Sequence, residues 1–130
     1  MTPIIVTAAV IERGDRFLVT RRQAGVHLEG HWEFPGGKCE GEESLPACLA
    51  RELREELAVG AEVRDEVLTT TYDYVDRRVE LHFLRCVIEG EPAPQQGQEM
   101  RWVSREELIT LELPPADAEV IRLLVRSVRL

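Results

Sequence analysis

Four leucines at every fourth position, Leu45, Leu49, Leu53 and Leu57, constrain this chain more than any other feature. That spacing lines one face of an α-helix and no face of a strand. Ser44 stands where an N-cap belongs, and Pro46 falls in the first turn, where its missing N–H is harmless. The stripe predicts a helix from Ser44 through about residue 57 that must bury its leucines. The same run carries Glu52, Glu55 and Glu56. At about 100° per residue, these three carboxylates fall within an arc of roughly 100°.

The flanking segments say what the leucines pack on. Residues 3–12 and 16–20 are rich in Ile, Val, Phe and Thr and are separated by Gly14-Asp15, the pattern of two strands joined by a turn. Residues 23–32 read as a loop. Trp32-Glu33-Phe34 is a short extended piece that Pro35-Gly36-Gly37 stops as a turn, and residues 38–43 form an acidic loop. After Gly60, residues 63–74 and 79–88 predict adjacent strands around Asp76-Arg77-Arg78. Residues 90–97 are a loop holding Pro92 and Pro94, and residues 100–103 a short strand. Ser104-Arg105-Glu106-Glu107 is a capping-box pattern. Pro114-Pro115 opens a last helix with Val120, Leu123, Leu124 and Ser127 on or near one face. This mixed order predicts an α/β architecture: a central mixed sheet covered by helices, in a single domain over residues 1–130.

Charge narrows the partners. The 130 residues hold 16 Lys+Arg against 24 Asp+Glu, a formal net charge of −8. Such acidity weighs against a nucleic-acid polymer, whose binders show a basic stripe. A polyanionic ligand would need local basic groups or a metal cation between it and the protein. Cys39, Cys48 and Cys86, odd in number and without CxxC spacing, predict three reduced thiols and a cytoplasmic setting. The N-terminal residues lack a signal peptide's basic start, and the apolar run over residues 4–11 is too short to span a bilayer, so no membrane partner is expected.

Chemistry concentrates on the leucine helix. Like charges at i, i+4, such as Glu52 and Glu56, repel. Solvent with Arg51 and Arg54 can offset that repulsion, and so can a divalent cation, since hard cations take carboxylate oxygens together with substrate phosphates. The preceding Pro35-Gly36-Gly37 permits close approach of a ligand to the backbone. Both readings remain open on the residues alone.

The segment Gly37-x5-Glu43-x7-Arg51-Glu52-Leu53-x-Glu55-Glu56-x-Ala58-Val59 resembles the Nudix box, G-x5-E-x7-R-E-U-x-E-E-x-G-U with U apolar, over residues 37–59. Every defined position matches except Ala58, where the family has Gly. That Gly suits a left-handed helix end, so Ala58 either adopts it at a cost of about 1 kcal/mol or the stop moves to Gly60. Trp32 through Lys38, Thr20-Arg21-Arg22, His27, Asp76-Arg77 and Leu113-Pro114-Pro115-Ala116-Asp117 are similar to the MutT-like branch. A second departure is Gly41, one residue earlier than the branch's glycine before Glu43.

The resemblance implies a Nudix fold, an α/β/α sandwich. It implies a nucleoside triphosphate pyrophosphohydrolase that releases a monophosphate and pyrophosphate and cleanses the nucleotide pool. 8-oxo-dGTP is the first expected substrate; the alternatives are a (d)CTP or 5-methyl-dCTP pyrophosphohydrolase and a non-catalytic Nudix nucleotide-binding module. Mg²⁺, or Mn²⁺, would bind Glu52, Glu55 and Glu56 with the Gly36 carbonyl, and Glu99 would complete the shell or serve as general base in rivalry with Glu52. Arg51 would pair with Glu43 and hold the loop. Asp117 stands where the branch reads the base, its alternative being a plain helix N-cap. Arg22, His27, Glu33, Gly37, Lys38 and Arg77 are the remaining candidates for substrate contact. Trp32 and Trp102 are assigned to packing rather than base stacking. A monomer or weak homodimer is expected.

Overall fold

The computed structural model of the protein describes residues 2–26 and 28–126. Its organising strand is β1 (Ile4–Arg13), whose alternating side chains feed two cores. Ala8 and Val10 face one side, Ala9 and Ile11 the other, the period of two that a strand covered on both faces requires. The remaining strands are β2 (Arg16–Arg21), β3 (Trp32–Glu33), β4 (Gly36–Lys38), β5 (Gly60–Asp73), β6 (Arg78–Glu89) and β7 (Met100–Ser104). They form a mixed sheet in the order β3-β2-β1-β6-β5, with β4 against β1 and β7 against β2. The β1–β6 pair is parallel and the others antiparallel.

Helix α1 (Leu45–Leu57) buries Leu49, Leu53 and Leu57 with Ala9, Ile11, Leu18 and Leu84 on one face. On the other face, Leu108 of α2 (Arg105–Thr110) and Val120 and Leu124 of α3 (Ala118–Arg126) pack on Val10, Phe17, Phe34 and Phe83. Helices therefore cover both faces of the sheet, as expected. No helix among the described residues is long and apolar enough to cross a membrane.

Local signals act as read. The Ser44 hydroxyl accepts from the Ala47 N–H at 3.2 Å, and the Ser104 capping box is complete. Helix α1 ends on Ala58 itself, at φ 56° and ψ 38°, with its N–H donating to the Arg54 carbonyl. The stop does not move to Gly60, which instead opens β5. Trp32 is buried in the core beneath the guanidinium groups of Arg21 and Arg101.

Four expectations need correction. Pro35-Gly36-Gly37 is more than a turn: residues 36–38 pair with Val6–Ala8 as β4, because the open edge of β1 offers backbone partners there. That ladder draws Cys39 beside the first turn of α1, its N–H donating to the Ile5 carbonyl, and Cys39 and Cys48 form a disulfide with Cα atoms 5.2 Å apart. Only Cys86 is a free thiol; burial pushes it up to about 12. The last helix does not start at Pro114-Pro115, since residues 115–117 make a 3-10 turn before α3. Leu123 is 39% exposed, off the buried face, and Ser127 lies outside the described residues.

One consequence of the topology places the site. β2 and β4 both pair with the same edge of β1, at Glu12–Arg13 and at Val6–Ala8 respectively. The sheet forks there, and a pocket opens between the prongs.

Candidate active site

Arg51 is the hub of the box end. Its guanidinium donates to Glu43 at 2.7 and 3.0 Å, to Glu52 at 3.0 Å, to Glu55 at 3.1 Å and to the Lys38 carbonyl at 3.1 Å. These bonds fasten the loop before α1 to the helix. The Glu43 carboxyl is lowered to about 2 by its hydrogen bonds from Arg51 and the Glu40 N–H. The early glycine finds its use here: Gly41 takes φ 52° within the turn that Glu43 N–H closes on the Glu40 carbonyl.

Two glycines let this loop approach the chain around it. Gly36 sits at φ 154°, and a Cβ there would strike the Thr7 carbonyl. A Cβ on Gly37 would strike the Glu52 carboxylate, so that side chain lies directly against the backbone of β4. One turn along α1, Glu56 accepts from the Gly36 N–H at 3.0 Å. Burial is the main cause that pushes Glu56 up to about 8, with Glu33 and Glu52 adding repulsion. Burial also raises Glu52. Glu55, by contrast, is exposed.

The pocket of about 380 Å³ runs from this end toward the 3-10 turn. Glu33 takes Arg22 at 2.8 Å, yet burial still raises its pKa. Asp117, only 4% exposed, lines the far end and is pushed up to about 8, first by burial and then by the charge of Glu33. Lys38 and Arg77 line the pocket as well, Arg77 also pairing with Asp76. His27 lies outside the described residues. The exposed carboxylate of Glu99 meets Arg21 at 3.0 Å.

Several lining residues carried no usable signal. Tyr74 closes the β5–β6 hairpin side of the pocket, near enough to Asp117 to feel its charge. Gln98 is buried, donating to the Glu56 carbonyl at 3.3 Å. Thr20 stands on the wall below them. Each looks like an ordinary strand or loop residue in sequence, and only the fork in the sheet brings them together.

Among the described residues, no three acidic, histidine or cysteine side chains converge on one point where a metal ion could sit. The donor chemistry nevertheless suits a hard cation: carboxylates beside a glycine backbone, two of them raised by burial.

A NUDIX domain family model matches residues 6–123. The chain is 37% identical to the CTP pyrophosphohydrolase of Escherichia coli, over 93% of this chain and 90% of that protein. It is 33% identical to the 8-oxo-dGTP diphosphatase of the same organism, over 94% and 95% respectively. The solution structure of the E. coli ORF135 protein superposes with a TM-score of 0.86 at 36% identity, covering 99% of this chain and 94% of that one. The chain belongs to the Nudix family and is a Nudix hydrolase. Nudix hydrolases generally use divalent metal ions.

Proposed function

We propose that this chain is a Mg²⁺-dependent nucleoside triphosphate pyrophosphohydrolase that releases nucleoside monophosphate and pyrophosphate and cleanses the nucleotide pool, with 8-oxo-dGTP as first substrate. One observation carries the reading: a single pocket joins Glu56, Gly36 and Gly37 of the box end to a buried Asp117 held near neutrality. A protonated carboxyl offers one O–H donor and retains acceptor capacity. It can therefore meet a guanine O6 and a neighbouring N–H together, which an ionised Asp could not.

Glu52, Glu55 and Glu56 with the Gly36 carbonyl are the groups to hold the cation, once Arg51 yields part of its hold on Glu52 and Glu55. What a divalent cation supplies there is neutralised phosphate charge and a lower pKa for bound water. Glu52, against Gly37, is better supported as general base than Glu99, which faces Arg21. Arg22, Lys38 and Arg77 bring positive charge to the pocket for the phosphates. The cytoplasm is the setting this substrate pool implies; the cysteines do not argue for it, two of them being bonded.

The likeness to a CTP pyrophosphohydrolase favours a second reading, a (d)CTP or 5-methyl-dCTP substrate. Acidic side chains accept well from the cytosine amino group. The test is pyrophosphate release with Mg²⁺ from 8-oxo-dGTP, dGTP, CTP, dCTP and 5-methyl-dCTP, by wild type and Asp117→Asn. We expect 8-oxo-dGTP to show the highest kcat/KM and Asp117→Asn, whose amide presents the same donor and acceptor as a protonated carboxyl, to keep that ranking. A ranking headed by a cytosine nucleotide selects the second reading. Release from none of the five overturns both.

A further inference from the structure

Thr20 plays no part in the site as described so far. It is 2% exposed, and among the described residues its hydroxyl is the buried side-chain polar atom without a hydrogen-bond partner. Two ladders fix its place, opposite Glu33 on one side and Met100 on the other. Residues paired across a ladder share a face of the sheet, so Thr20 lies on the face of Glu33. The polar groups nearby are already engaged. Glu33 takes Arg22, and Gln98 accepts from the Gln96 N–H while donating to the Glu56 carbonyl.

Valine has the shape of threonine, and a buried hydroxyl with no partner is unfavourable where valine is not. The three preceding residues of the strand, Phe17, Leu18 and Val19, are apolar and fully buried. A hydroxyl at position 20 therefore weakens the free protein, and it does so on the wall of the substrate pocket. Glu33, across the ladder, is close enough to both Glu56 and Asp117 to act on each by its charge. Thr20 lines the same pocket as Glu56 and Asp117, the pocket in which the proposed function places a nucleotide's sugar and phosphates.

We propose that the Thr20 hydroxyl is a substrate-binding group, donating a hydrogen bond to the sugar–phosphate portion of the bound nucleotide. The proposal rests on the nucleotide-hydrolase reading, and monophosphate binding separates the two. The experiment titrates 8-oxo-dGMP and CMP, separately and without metal, into wild type, Thr20→Val and Thr20→Ser, with calorimetric affinities and melting temperatures as readouts. Thr20→Val should melt above wild type and bind the monophosphate about five- to tenfold more weakly, the worth of one hydrogen bond. Thr20→Ser, which keeps the hydroxyl, should bind as wild type does. An affinity unchanged in Thr20→Val overturns the contact while leaving the hydrolase reading intact. A Thr20→Val protein that melts below wild type also overturns it, because the hydroxyl would then be satisfied inside the protein. Failure of both monophosphates to bind wild type overturns the nucleotide reading and this inference with it.

Discussion

The two ends of the pocket handle carboxylates in opposite ways. At the box end, Arg51 distributes one guanidinium over Glu43, Glu52 and Glu55, and a disulfide ties Cys39, the residue after β4, to Cys48 of α1. At the far end, Asp117 is buried and Glu33 half-buried, and an ion pair from Arg22 is not enough to keep Glu33 at its ordinary pKa. The first arrangement fixes a loop before any ligand arrives. The second raises both acids and leaves Asp117 at about 8, poised to donate or accept a proton-bearing contact. The difference teaches that one acidic pocket can be fixed by ion pairs at one end and adaptable in protonation at the other, which under the proposed function suits positioning of phosphates and reading of a base.

Glu56 sits at the seam between the ends, so substituting it has the largest expected effect. Glu56→Gln keeps the shape and an oxygen for the Gly36 N–H, yet removes a charge from the acid cluster. Turnover with Mg²⁺ should fall roughly 10³-fold, at the upper end of what one electrostatic group contributes. The metal-free protein should melt no lower than wild type, because burial already disfavours the ionised form of this side chain. Wild-type turnover in this variant would remove Glu56 from the chemistry. A lowered melting point would make it a structural group of the box end.

The same contrast separates what could be read in the sequence from what could not. Helix α1 was legible because its signals are local: a leucine stripe, a serine cap and a motif contained within residues 37–59. The bend at Ala58 was open in sequence, and the hydrogen bond to Arg54 decides it. β4 was read only as a turn, since three residues become a strand solely through the edge of β1. The disulfide followed from that pairing and was missed with it. At the far end, residue identity pointed to Asp117 and Glu33, but burial, which sets their protonation, depends on the 3-10 turn, the β5–β6 hairpin and α3 closing together. Thr20 belongs to the Thr20-Arg21-Arg22 resemblance, but nothing in sequence gives its hydroxyl a role, because a threonine in a strand is ordinary.

A reductant probes the rigid end by itself. The disulfide closes a short loop, with a sequence separation of 9. Loop-closure entropy for about ten residues corresponds to roughly 2–3 kcal/mol, or about 5–10 °C of melting temperature in a domain of this size. Melting the protein with and without a dithiol reductant should show that drop, while affinity for a nucleoside monophosphate, which the proposed function assigns to the far end, should stay constant. No change in melting would mean that Arg51 and Glu43 hold the loop without help. A parallel loss of monophosphate affinity would mean that the two ends are not separable.

The finest discriminator is the pH dependence of stability without metal. Asp117 and Glu56 are raised from ordinary carboxylate values of 3.8 and 4.5 to about 8. Below pH 4 both folded and unfolded chains hold these protons, so their contribution to stability is complete. Between about 4 and 8 the unfolded chain releases them while the folded chain keeps them, and stability falls as pH rises. Glu43 runs the other way. Its value of about 2 lies below the ordinary 4.5, so the stability it contributes is present above 4.5 and is lost as pH falls toward 2. The far end and the seam should therefore weaken the protein on the alkaline side, and the box end on the acid side. Melting metal-free protein from pH 5 to 9 should reveal a decline that flattens above about pH 8 and that Asp117→Asn makes shallower. A decline of the same slope in that variant would place the raised acid elsewhere, and a melting temperature that climbs with pH would mean the far end is as well compensated as the box end.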